Sequence, residues 1–241
     1  MRMPTAASLL DAWEQGRGQP QVARALALLA AASAAESSDA LADLPVGARD
    51  GRLLALRERV FGPRLEALAR CPACGEHLDL IFAVADVRAP DPPDGELCLT
   101  TGGHELRFRL PTSRDLLAVA ADGPSDPRGR LLTRCLVEAR RGEEPRAAAD
   151  LPAEVVNAVA EHMARADPQA DVRLALACPA CGHAWEEVFD IVSYLWAELE
   201  AWAVRLLCDV HTLACAYGWR ETDILALSSW RRQRYLDLIR R

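Results

Sequence analysis

Cys71-Pro72-Ala73-Cys74-Gly75 recurs letter for letter as Cys178-Pro179-Ala180-Cys181-Gly182. Two cysteines with two residues between them, on a tight turn, bring both thiolates to one metal ion. The glycine that follows accepts the positive φ that turns backbone N–H groups toward sulfur. One such knuckle offers two ligands, and a structural zinc takes four. The sequence therefore predicts one structural Zn2+ held by Cys71, Cys74, Cys178 and Cys181, with residues 75–177 inserted between the halves of the site. Two other readings stand beside it. A redox CxxC calls for a single motif at a helix start in a thioredoxin-like setting. Two separate sites finished by histidine would draw on His77, His104 and His183, although no pair of these has finger spacing.

The copies agree beyond the cysteines. Leu78 lines up with Trp185, Ile81 with Val188, and Phe82 with Phe189. Each knuckle thus leads into a short apolar run, as in a zinc ribbon. Upstream of the second knuckle, Val172, Leu174 and Leu176 alternate, so a strand is expected to deliver Cys178.

The bulk numbers narrow the class. A chain of 241 residues, 51% hydrophobic, has room for one large domain or two small ones. A net charge of −7 is a poor basis for general nucleic-acid binding. No apolar run reaches the length that spans a membrane. The N-terminus carries Asp11 and Glu14 and no apolar leader segment, which points to a reducing cytoplasmic setting for the eight cysteines. All 28 basic residues are arginine, a bias that a GC-rich genome explains without function.

Apolar periodicity divides the chain into three regions. Residues 1–65 read as helices at 5–16, 20–35 and 48–61. Residues 66–189 hold the knuckle module and its insertion. There a strand is expected at 79–87 and a hairpin around Thr101-Gly102-Gly103-His104. Thr112 and Asp115 form a capping box for a helix that Gly123-Pro124 ends. Further helices are expected at 127–140 and 152–165, with a charged loop at 142–149. Residues 190–241 read as one long helix over 190–217, capped by Gly218, then a short helix with Ile224 and Leu227 and a last helix capped by Ser228. The long helix carries a seam of Val188, Val192, Leu195, Leu199, Trp202, Leu206, Val210, Leu213 and Tyr217. The expected fold is α+β, mostly α: a four-cysteine zinc-ribbon-like module interrupted by a β-hairpin and helices, with a long C-terminal helix and two short ones.

Signs of catalysis are absent from the sequence. It has no nucleophile motif, phosphate loop or dinucleotide fingerprint, and four cysteines close a zinc shell against a hydrolytic water. Glu198 and Glu200 read as an exposed helix face, and His211 as a packing histidine. Cys98, Cys135, Cys208 and Cys215 read as small core residues. Five of the six tryptophans lie at 185, 196, 202, 219 and 230. Trp202, Tyr217, Trp219, Trp230, Arg231 and Tyr235 are the candidate partner surface, set against the reading that the aromatics merely fill a helical core. Arg231, Arg232, Arg234, Arg240 and Arg241 make the C-terminus basic. Part of that suits a helix C-terminus without any partner.

The stretch Leu206-Leu-Cys-Asp-Val-His211-Thr-Leu-Ala-Cys-Ala-Tyr217-Gly-Trp219-Arg-Glu221-Thr-Asp-Ile224-Leu225-Ala-Leu227, followed by Arg231-Arg-Gln-Arg-Tyr235-Leu236, resembles a known pattern. It is similar to the baseplate-hub subunit and hub-assembly-chaperone proteins of T-even-type contractile phage tails and phage-tail-like contractile injection systems. Their signature is a helix, an aromatic-x-Trp turn, a short helix and an arginine-bearing last helix. The usual Ser or Thr after the Trp is Arg220 here, and the knuckles and N-terminal helices lie outside that pattern. The resemblance implies a non-enzymatic baseplate component or assembly chaperone. It implies contact with hub, spike or neighbouring baseplate proteins, with no small-molecule substrate, in the cytoplasm or in an assembled particle. The rival expectation is a zinc-ribbon nucleic-acid-binding or regulatory protein.

Overall fold

The computed structural model describes residues 3–33, 35–123 and 125–239. Pro124, expected to stop a helix, and Arg240 and Arg241 lie outside the described residues. The chain opens with α1 (Ala6–Gly16), α2 (Gln21–Ala32), a short α3 (Ser38–Ala42) and α4 (Val46–Phe61). It continues with β1 (Arg64–Arg70), β2 (His77–Ala83), β3 (Glu96–Thr101), β4 (His104–Arg109), α5 (Ser113–Ala121) and α6 (Pro127–Cys135). After these come β5 (Leu136–Arg141), β6 (Glu144–Pro145), α7 (Ala153–Ala166), β7 (Arg173–Ala177) and β8 (Ala184–Val188). The end is α8 (Ile191–Tyr217), α9 (Glu221–Ala226) and α10 (Ser229–Ile239). The fold is α+β and mostly helical, as expected.

The chain gathers into two units: Ser37–Ile191, and Met1–Glu36 together with Val192–Arg241. The helices of residues 1–65 are thereby shared out. α1 and α2 join the C-terminal helices, while α3 and α4 join the cysteine-bearing unit.

In the cysteine-bearing unit, β1 and β2 form one antiparallel hairpin and β7 and β8 another. Between them β3, β4, β5 and β6 make an antiparallel sheet in sequence order. Its core is Leu106, Phe108, Leu132, Ala139, Leu151, Val155 and Val159, so the insertion has an apolar interior of its own. The Thr112–Asp115 capping box is present. The Thr112 N–H donates to Asp115 Oδ2 at 3.0 Å, and the Asp115 N–H donates to Thr112 Oγ1 at 3.4 Å. The helix expected over 127–140 ends early. Residues 136–141 are instead strand β5, with Ala139 opposite Leu106. β4 would otherwise present a bare edge, and its ladder hydrogen bonds outweigh helical propensity in this short segment. Residues 64–70, which carried no expectation of structure, are strand β1. Two side chains just before the second hairpin reach back, Asp167 to the start of α4 and Gln169 to the loop after β2. Gly47 N–H donates to Asp167 Oδ2 at 2.9 Å, and Gln169 Oε1 accepts from Ala89 N–H at 2.7 Å.

The helical unit buries Leu9, Leu10 and Trp13 of α1, Leu28 and Leu29 of α2, and Ile224 and Leu236 of α9 and α10. α8, 27 residues and therefore about 40 Å long, contributes Val192, Leu195, Leu199, Leu206, Val210 and Leu213. Val188, expected to begin that seam, lies in β8 and is exposed. The aromatic face of Trp196 receives α1 and α2. Gly16 sits against its ring, and the Arg24 guanidinium lies 4.7 Å from the ring centroid. Gly218 ends α8 with φ +67°, the left-handed cap expected of it.

Candidate metal centre

The two hairpins repeat each other in detail. Each ends its first strand one residue before its first cysteine: Arg70 pairs with His77, and Ala177 with Ala184. In each turn the first cysteine's N–H donates across the loop, Cys71 to Glu76 O at 2.8 Å and Cys178 to His183 O at 2.9 Å. Each glycine N–H returns to the carbonyl of the first cysteine, both at 2.9 Å. Gly75 and Gly182 close these turns with φ of +78° and +73°, values that L side chains rarely take. Arg70 Nε also donates to Gly75 O at 3.3 Å. At the far ends of the hairpins Phe82 and Phe189 meet edge to face, with centroids 5.5 Å apart. They are the last pair in the sequence alignment of the two copies.

This geometry brings four sulfurs together. Cys71 Sγ lies 3.7 Å from Cys181 Sγ, and Cys74 Sγ lies 3.6 Å from Cys178 Sγ. All four Sγ atoms are within 4.8 Å of one another. Zn–S bonds of about 2.3 Å at tetrahedral angles set sulfurs about 3.8 Å apart, so the donor set fits that ion. The first cysteine of each knuckle is buried and the second exposed.

The electrostatics favour a cation. Burial opposes ionisation of Cys71, yet the N–H groups of Cys74 and Ala73 and the neighbouring thiols of Cys74 and Cys178 outweigh it and pull its pKa down to about 6. The Glu76 N–H favours a thiolate at Cys74, but the surrounding sulfurs of Cys181 and Cys178 push its thiol up to about 12. Cys181 also moves up, although the His183 N–H favours its thiolate. Neighbouring S–H groups thus stabilise a first thiolate at Cys71, whose charge then opposes ionisation of the others, and a divalent ion would relieve that opposition.

The histidines stand apart from this cluster. His104 is buried beside the other sheet, with Nδ1 3.0 Å from Gly102 O. His183 stacks on Trp185. Among the described residues, the four cysteines form the group of metal-ligating side chains. The geometry therefore favours one four-cysteine site over two mixed ones. Arginines on the hairpins' outer faces stand beside acids, Arg64 with Glu66 and Arg173 with Asp171 and Glu186.

The residues expected to meet a partner fall into two sets. Tyr217, Trp219 and Tyr235 pack on one another with centroids 4.7 to 5.7 Å apart, fastening the end of α8 to α10. Trp202 is half-buried. Trp230 is 67% exposed with the Arg234 guanidinium over its ring, and Arg231 is exposed beside it. Three cysteines expected in the core are on the surface. Cys98 points outward from β3, and Cys208 and Cys215 lie on the outer side of α8; only Cys135 of the four is buried. His211 is exposed too, 3.8 Å from Cys215 Sγ.

A family model described as T4 bacteriophage base plate protein matches residues 14–196. No curated protein and no solved structure matches the chain. The matched span contains both knuckles, which the sequence reading had set outside the phage pattern. It stops before residues 206–236, which carry the resemblance described above.

Proposed function

The chain belongs to the T4 bacteriophage base plate protein family, and on that footing we propose that it is a zinc-stabilised, non-enzymatic part of a contractile tail baseplate or a chaperone of its hub. The family match over residues 14–196 carries this reading. Cys71, Cys74, Cys178 and Cys181 hold the ion. It joins the two hairpins into one ribbon module and so closes the insertion between them. The C-terminal helices bind a hub, spike or neighbouring baseplate protein, and the exposed Trp230 and Arg231 supply the first contacts. Trp219 and Tyr235 serve the fold of α8 and α10, so their removal would confuse a binding test.

Two measurements test the proposal together. Purified protein is expected to carry one zinc per chain by elemental analysis, and Cys178→Ser is expected to carry none. Co-expressed with the other proteins of its tail, the chain is expected to retain a hub or spike protein. The Trp230→Ala, Arg231→Glu variant is expected to lose it while keeping its zinc. Equal retention of the partner by both forms would sink the docking surface. Zinc-free wild-type protein would sink the metal site.

A further inference from the structure

The side of α8 turned away from its core has an order of its own. Ala197, Ala201, Val204, Cys208, His211 and Cys215 follow one another in alternating steps of four and three, and all six are exposed. Val204 is 53% exposed. That spacing is the heptad seam into which a second helix fits. The buried residues of α8 repeat on the opposite side, so the helix carries, besides its apolar core face, a second face of small uncharged residues around Val204 and His211. None of the six seam residues is an acid or an arginine, although charge is what a solvated helix face normally carries.

The flanks say which helix fits. Taking Ala201, Cys208 and Cys215 as the a positions and Ala197, Val204 and His211 as the d positions, Glu200 occupies g and Arg205 the e of the next heptad. Both are exposed. In a parallel pair of identical helices these two positions face each other across the seam, and the match occurs twice by symmetry. An antiparallel pair sets e against e and g against g, and forfeits the match.

We propose that α8 is a self-association surface on which a second copy of this chain docks its own α8 in parallel, with Glu200 of each copy against Arg205 of the other. The seam uses none of the residues proposed above to meet a tail protein, so either surface can fail without the other. Alanine and cysteine let the helices approach closely but bury little area, so the pair is weak and concentration-dependent.

Sedimentation equilibrium of the full chain tests this. Wild type is expected to rise from 26.3 kDa toward twice that mass as concentration increases. Glu200→Arg sets arginine against arginine and is expected to weaken association by about tenfold. The double reversal Glu200→Arg, Arg205→Glu restores opposite charges and is expected to recover it. Val204→Asp is expected to leave monomer only, with an unchanged melting curve because the site is exposed. Monomer at every wild-type concentration would overturn the proposal. So would a single reversal without effect, or a double reversal that fails to recover the pair.

Discussion

Asp115 shows how much a single side chain organises. It is buried, and it accepts hydrogen bonds from Arg109, Arg134, the Thr112 N–H and the Thr112 hydroxyl. Burial alone would raise its pKa, but the Arg109 guanidinium and the Thr112 donors outweigh burial and hold it well below the usual carboxylate range. A depressed carboxylate stabilises the fold fully above its unfolded pKa and loses that contribution as pH falls toward its folded value. Asp115→Asn is therefore expected to lower stability at pH 7 and to flatten the acid limb of stability below about pH 4, read by denaturant unfolding against pH. Asp115→Ala is expected to cost about 3 kcal/mol. That is the low end for breaking a buried pair, because both arginine partners are more than a third exposed. This residue was legible beforehand as a cap, since Thr112 and Asp115 are three apart. Its arginines were not, because Arg134 comes from another helix. The four clustered cysteines were legible for the same local reason, their spacing within each turn. The outward Cys98, Cys208 and Cys215 were misjudged because a residue's usual burial says nothing about which face of its element it occupies.

At the scale of elements, the packing of α1 on α8 turns on one missing methyl group. A Cβ at Gly16 would come within 2.3 Å of Trp196 Cη2 and 2.6 Å of Cζ3. The ring cannot easily retreat, since it is buried and covered by Arg24. Gly16→Ala is expected to destabilise by about 1–3 kcal/mol, and the loss should shrink in a Trp196→Phe background that removes those ring atoms. Thermal melts of the four forms measure the coupling; equal losses in both backgrounds would refute the clash. The long helix α8 was readable from its seam and its glycine stop. The strands were less so. β1 leaves a faint signal because two of its three inward positions, Ala67 and Ala69, are small residues with little strand preference. Yet Leu65, Ala67 and Ala69 alternate ahead of Cys71 as Val172, Leu174 and Leu176 do ahead of Cys178. β5 was hidden differently: its helix-like composition yields to the open edge of β4, a partner thirty residues away that no local pattern reveals.

Across the whole chain, the proposed zinc site would hold the ribbon module together, while the inserted sheet has an apolar core of its own. Cys178→Ser or a strong chelator is expected to raise hydrogen exchange in β1, β2, β7 and β8, while β3, β4 and β5 stay protected by the core around Phe108. Uniform exposure of both regions, or no change in either, would contradict that division. What periodicity could not reveal is the sharing of helices between units, because long-range partners leave no mark on a local apolar pattern. The separation of the two knuckles has one more consequence. Cys74 and Cys178 are 104 residues apart. At about 5–20 residues per second, a ribosome needs roughly 5–20 s to synthesise the span between them. Throughout that interval the nascent polypeptide displays one dithiol with no counterpart, open to oxidants and to stray copper. The vulnerable moment in this protein's life is thus its own translation.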